Sequence, residues 1–129
     1  MTDADQNPAA PAAPPDCLFC RIARGEIPSR RVHEDDDLVV FHDIHPAAPV
    51  HLLMVPKRHI ESLITAAPED QALLGKMLLL APRLAREQGA GDGFRLVVNN
   101  GPGGGQEVFH LHYHVLGGPR PWRQMSTGR

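Results

Sequence analysis

The chain has 129 residues, 42% of them apolar, with 13 Lys and Arg against 15 Asp and Glu for a formal net charge of −2. That supports one domain with a modest core and argues against a second. No net positive field attracts nucleic acid, and no segment approaches the roughly 20 apolar residues of a membrane span, so neither nucleic acid nor membrane is expected as a partner.

The first fifteen residues hold five alanines and four prolines with no apolar periodicity. They predict a disordered Pro/Ala-rich arm over 1–15, followed by a single domain over 16–129. Asp3 and Asp5 stand where a signal peptide would be basic, so a cytoplasmic location is expected. Cys17 to Arg24 reads as a short helix capped by Asp16 and stopped at Gly25. Arg30–Glu34 and Leu38–His42 read as a hairpin around the acidic turn Asp35-Asp36-Asp37, taken as structure only, and His51–Val55 as a third strand ended by Pro56. From Pro68, the set Leu73, Met77, Leu80 and Leu84 marks an amphipathic helix that Pro82 should kink and Gly89 should end. Phe94–Asn99 and Glu107–Leu116 complete the strands. The pattern implies an antiparallel α+β domain.

The most informative run is His110-Leu111-His112-Tyr113-His114. In a strand the three imidazoles share one face, neighbours about 6.8 Å and the outer two about 13 Å apart, too far for all three to hold one ion at zinc–nitrogen distances near 2 Å. Their tasks must therefore differ. Histidine attacks phosphorus only when neutral, with one nitrogen's N–H held by an acceptor, for which a backbone carbonyl suffices. His112, flanked by an imidazole on either side, is the best-placed nucleophile. Asn99-Asn100-Gly101-Pro102-Gly103-Gly104-Gly105-Gln106-Glu107 leads into this run, and four glycines in five residues can turn backbone N–H groups toward an anion such as phosphate.

Other candidates carry open alternatives. His51 is either a strand-end histidine hydrogen-bonded for structure or a second titratable group for the chemistry. Asp43 could cap a turn or accept from ribose hydroxyls. Cys17-Leu18-Phe19-Cys20 has metal-ligand spacing, but the same pair could be a redox couple or two separate thiols. His33, His42 and His45 read as surface or loop residues.

The segment from Gly104 to Gly118, with Gly25-Glu26-Ile27-Pro28, Phe41-His42-Asp43-Ile44, Ala48-Pro49-Val50-His51 and Pro56-Lys57-Arg58-His59-Ile60 upstream, resembles the histidine-triad (HIT) family, in particular its Hint nucleotide-binding branch. The resemblance runs from about Cys17 to Trp122. It implies a five-stranded antiparallel sheet with two helices, pairing into a homodimer, with the tail around Trp122 near the partner's active site. It implies hydrolysis or transfer of purine nucleoside phosphoramidates, of the AMP-amine or acyl-adenylate type, through a nucleotidyl-His112 intermediate. His114 would then donate to a phosphate oxygen, and His51, beside the nucleophile, would take an orienting and proton-relay role. AMP or GMP would be held by Asp43 at the ribose, by Leu18, Phe19, Ile22, Phe41 and Ile44 around the base, and by Asn99 with the N–H groups of Gly105, Gln106 and Glu107 at the phosphate. The Glu107 side chain should point away. In relatives of this kind two cysteines and two histidines form a structural zinc site; the matching residues are Cys17, Cys20, His59 and His110, separate from the phosphorus chemistry, which should need no metal. Alternatives are a dinucleoside polyphosphate hydrolase of the Fhit branch or a nucleotide-binding adaptor.

Overall fold

The computed structural model describes residues 17–120 and Trp122. The expected arm over 1–15 and the cap Asp16 lie outside them. Helix α1 is Leu18–Ala23, and its N-cap is Cys17, whose sulfur accepts from the Cys20 N–H at 3.4 Å. Strands β1 (Arg31–Glu34), β2 (Leu38–His42) and β3 (Val50–Pro56) form a meander; helix α2 (Gln71–Glu87) follows a one-turn 3₁₀ helix, and β4 (Phe94–Val97) and β5 (Tyr113–Gly117) close the sheet. The five strands are all antiparallel, in the order β1-β2-β3-β5-β4.

Side chains alternate across this sheet, so its two faces have different partners. Leu38, Val40, Leu52, Met54, Tyr113 and Val115 pack against Met77, Ala81, Leu84 and Ala85 of α2. Val39, Phe41, Leu53 and Val55 pack against Phe19, Ile22 and Ala23 of α1. Fully burying a side chain such as Met77 or Leu84 contributes roughly 2 kcal/mol, which fixes which side of α2 faces inward. Leu78 and Leu79 face outward, at 49% and 82% exposure. The helix runs through Pro82 without a break.

The acidic turn is structural, as expected: Asp35 Oδ1 accepts from the N–H groups of Asp37 and Leu38 at 2.7 and 3.1 Å, while Lys76 of α2 pairs with Asp35 and Asp37. Burial opposes ionisation of Asp35, but His33, these N–H groups and Lys76 outweigh it and hold the carboxyl below its usual range.

Two expected strands are shorter in the structure. β4 stops at Val97, and β5 starts at Tyr113 rather than at Glu107. Continuing the β3–β5 register, in which Met54 faces Tyr113, would set Leu111 opposite Pro56. Proline has no N–H to offer a ladder. The Leu111 N–H instead donates to the Ile60 carbonyl at 2.6 Å, and residues 107–112 approach the sheet without joining it.

At the far end of β5, Gly117 admits no side chain, since a Cβ there would lie 2.4 Å from the Ala90 Cβ and 3.2 Å from the Gly93 oxygen. Gly117→Ala should therefore lower the stability by about 1–3 kcal/mol through overpacking. Urea denaturation monitored by circular dichroism checks this; an unchanged midpoint would mean that the α2–β4 turn yields without cost.

Candidate active site and metal centre

The alternation that divides the core also selects the site. His51 and Leu53 of β3 and His114 of β5 lie on the α1 face, with His114 directly opposite Leu53. His110 and His112 continue that face ahead of β5, where the Phe19 ring meets them edge-on with centroids 6.1 and 4.9 Å away. The three histidines of the run are fully buried.

His112 Nδ1–H donates to the main-chain oxygen of His110 at 2.7 Å. In the neutral ring this leaves the lone pair on Nε2. A second chain of hydrogen bonds sets the neighbouring rings. The Ala47 N–H donates to His51 Nδ1 at 3.0 Å, so the His51 hydrogen sits on Nε2 and donates to His114 Nδ1 at 2.9 Å. That assigns the His114 hydrogen to its own Nε2. Two rings with centroids 5.0 Å apart therefore carry opposite tautomers, one with a basic Nε2 and one with a donating Nε2.

Asp43 is buried beside this chain. Its Oδ1 accepts from the His45 N–H at 2.8 Å, its Oδ2 lies 3.5 Å from His51 Nε2, and its own N–H donates to the His51 carbonyl at 2.9 Å. The five apolar residues expected around a base are not one open slot. Phe19, Ile22 and Phe41 stand in the core under α1, whereas Leu18 and Ile44 are exposed at 37% and 78%.

The glycine loop also departs from expectation. The N–H groups of Gly104 and Gly105 donate into the 3₁₀ turn, to Gly101 and Pro102 at 3.1 Å each, and that of Gln106 donates to Gly101 at 3.1 Å. Gly105 and Gln106 therefore turn no N–H toward an anion. Of the three expected phosphate-holding amides only that of Glu107 stays outside the turn. The Gln106 side chain is a brace: its Oε1 accepts from the Gly101 N–H at 2.8 Å, and its Nε2 donates to the carbonyls of Glu61 and Val108 at 2.7 and 3.0 Å. Gly101 and Gly105, at φ of 72° and 82°, supply the left-handed backbone that this fold of the loop requires. Asn99 lies at the entrance to the loop, just past β4.

Cys17, Cys20, His59 and His110 converge, with one potential ligand atom from each lying within 4.8 Å of the others. Cys17 Sγ–His110 Nδ1 and Cys20 Sγ–His59 Nδ1 are both 3.3 Å, Cys20 Sγ–His110 Nδ1 is 3.4 Å, and the two Nδ1 atoms are 3.2 Å apart. A tetrahedral zinc with usual bond lengths separates sulfur from nitrogen by about 3.5 Å and nitrogen from nitrogen by about 3.4 Å. The donor set fits that ion. His110 Nε2–H donates to the Pro56 carbonyl at 2.8 Å, which turns Nδ1 toward the cluster as a ligand's outer partner does. Burial pushes His110 down to about 4 and keeps it neutral, while burial and the Cys17 thiol push Cys20 up to about 12, where only a nearby cation would hold a thiolate.

The groups around the imidazoles that sequence reasoning missed are backbone ones: the carbonyls of Pro56 and His110 and the N–H of Ala47. Side-chain identity carries no trace of them. Pro56, as a strand end, was the one available signal.

A HIT domain model matches residues 24–120. Protein HitA of Neisseria gonorrhoeae is 57% identical over 103 residues, covering 80% of this chain and 96% of its own. Among solved structures, the HIT family hydrolase from Legionella pneumophila Philadelphia 1 superposes with a TM-score of 0.78 at 48% identity, over 81% of this chain and 95% of that one. A zinc-bound histidine triad family protein from Mycobacterium smegmatis gives a TM-score of 0.71 at 31% identity, over 88% and 86%. The chain belongs to the HIT family.

Protein purified with zinc present should hold about one zinc per chain, by elemental analysis, if the four ligands close the site. Replacing both cysteines, Cys17→Ser with Cys20→Ser, should release it and lower the melting temperature, because metal binding is coupled to folding. A double variant that melts as wild type does would remove the metal from the fold.

Proposed function

We propose that this protein is a nucleotide-binding hydrolase that cleaves purine nucleoside phosphoramidates, or acyl-adenylate-type anhydrides, through a nucleotidyl-His112 intermediate. The opposite tautomers of His112 and His114 carry the reading. The His112 Nε2 lone pair attacks phosphorus, the bond from phosphorus to the leaving nitrogen or acyl oxygen breaks, and the leaving group departs. His114 Nε2–H donates to a non-bridging oxygen and stabilises the charge that grows there in the transition state. His51, hydrogen-bonded to His114 and close to Asp43, orients that ring and shares its Nε2–H with it, while a leaving nitrogen takes up one proton from solvent, returned when water is split in the second step, and an acyl oxygen leaves as the carboxylate. Water then attacks the nucleotidyl-histidine, releases the nucleoside monophosphate and restores His112.

In this reading AMP or GMP lies with its ribose at Asp43, its base on the wall to which Leu18, Phe19, Ile22, Phe41 and Ile44 contribute, and its phosphate toward Asn99 and the Glu107 N–H. Zinc, held by Cys17, Cys20, His59 and His110, would supply structural cross-linking and take no bond to phosphorus, since four protein ligands leave it no open position. The chain works as a cytoplasmic homodimer. The exposed edge strand β4, with Phe94 at 37% exposure, and the outward Leu78 and Leu79 of α2 support pairing that extends the sheet.

His112→Ala should abolish hydrolysis of adenosine 5′-phosphoramidate, by roughly a thousandfold or more, while AMP binding persists, because a nucleophile is lost and no core is emptied. Residual activity within tenfold of wild type would sink the assignment. Assaying diadenosine polyphosphate beside the phosphoramidate separates the Fhit-type reaction from this one; turnover of neither would leave an adaptor.

Asp43→Ala should weaken AMP about tenfold or more relative to 2′,3′-dideoxy-AMP, because a hydrogen bond to a charged group is worth about 1.5–3 kcal/mol. Isothermal titration with both ligands decides it; equal losses would make Asp43 a positioning group for His51 alone.

A further inference from the structure

The cysteine–histidine cluster and the nucleophile share no side chain, yet they share His110. Its Nδ1 faces the cluster, its Nε2–H is anchored on the Pro56 carbonyl at 2.8 Å, and its main-chain oxygen receives the His112 Nδ1–H at 2.7 Å. We propose that the metal cluster is a positioning device for the nucleophile: a cation held by Cys17, Cys20, His59 and His110 fixes the His110 main chain, and through its carbonyl fixes the tautomer and aim of His112. This rests on the readings of the cluster as a metal site and of His112 as the attacking group. It departs from the expectation that metal and phosphorus chemistry are independent.

The backbone makes the dependence physical. Residues 107–112 lie outside the sheet, so no ladder holds the His110 carbonyl in place. Among the described residues, the main-chain hydrogen bond from Leu111 N–H to Ile60 and the His110 side chain do that work. In the cluster two imidazole nitrogens face each other at 3.2 Å with two sulfurs beside them, and a dication binds all four donors at once. With the cluster open, His110 loses the anchor on its Nδ1 and keeps the Pro56 hydrogen bond and the edge contact with Phe19. Its carbonyl can then turn, and His112 can place its hydrogen on Nε2, which removes the lone pair that attacks phosphorus. His51, Asp43 and His114 stand on or beside the paired strands and keep their places. Loss of the metal should therefore act on turnover more than on binding, by roughly tenfold, as for a lost outer partner of a reactive group.

The test uses the full chain in three forms, zinc-loaded, chelator-stripped and cadmium-exchanged, each checked for folding by circular dichroism. Long-range proton–nitrogen NMR spectra of the imidazoles at pH 8 report the tautomers directly. The expected result is a His112 locked with its hydrogen on Nδ1 when zinc is bound and averaging between tautomers when it is stripped, while His51 and His114 are unchanged. The kcat for adenosine phosphoramidate should fall roughly tenfold with KM within twofold. His59→Cys, which rebuilds a four-ligand set without touching His110, should restore both readouts on zinc addition. Should stripping unfold the protein, the larger cadmium ion should still shift the His112 signals in a folded chain. Identical His112 spectra with and without zinc, or between zinc and cadmium, would overturn the proposal. Failure to bind zinc at micromolar concentration would overturn it together with the metal reading. The nucleophile reading is judged separately, by mass detection of a quenched adenylyl adduct on His112; absence of that adduct alongside a metal-dependent tautomer would refute the activity and leave the coupling standing.

Discussion

The hydrogen bond from His112 Nδ1 to the His110 carbonyl is the contact on which the site depends. A neutral imidazole has one donor and one acceptor nitrogen, and an acceptor placed on one side decides which is which. Here the acceptor is a backbone oxygen, invariant to protonation and available at any pH. His114 is set the other way by a ring that itself accepts from the Ala47 amide. Neighbouring histidines of identical chemistry thus acquire opposite roles from two main-chain groups, one a carbonyl and one an amide.

The sheet and its two layers were legible because they rest on side-chain periodicity. Alternation in β3 and β5 placed His51 and His114 on one face, and the spacing of Met77, Ala81 and Leu84 placed α2 on the other. Expectations failed where the backbone decides. The Cys17 sulfur caps α1, the amides of Gly105 and Gln106 turn into the loop, and the Gln106 side chain ties that loop to Glu61. A glycine-rich segment announces freedom of φ and nothing about which amides remain outward. The cluster of Cys17, Cys20, His59 and His110 was reachable only through family resemblance, since His59 and His110 are 51 residues apart and neither motif points to the other.

Pro56 connects these levels. Lacking an N–H, it ends the ladder between β3 and β5, and so keeps His110 and His112 off the sheet. Its carbonyl then anchors the ring of His110. The same residue that stops a strand thus orients a cluster ligand, two residues ahead of the group that would meet phosphorus. Phe19 completes the arrangement from α1, its ring set against both imidazoles and against Phe41, so the helix capped by Cys17 and carrying Cys20 also packs His112.

Register is the constraint that binds the two halves of the site. The run from His110 to His114 keeps every histidine on the α1 face only while Met54 faces Tyr113 and Leu53 faces His114. A slip of one residue would carry all three imidazoles into the apolar layer beneath α2 and drive Tyr113 and Val115 outward. The Gly117 contact with Ala90 and the left-handed Gly118 beside Pro49 pin the far end of β5, where neither accepts a side chain without displacement. At the near end, the Gln106 brace fixes where the loop releases the chain toward the sheet. The glycines after the triad and the glutamine before it therefore serve the histidines through the backbone: they fix the residue number at which alternation begins.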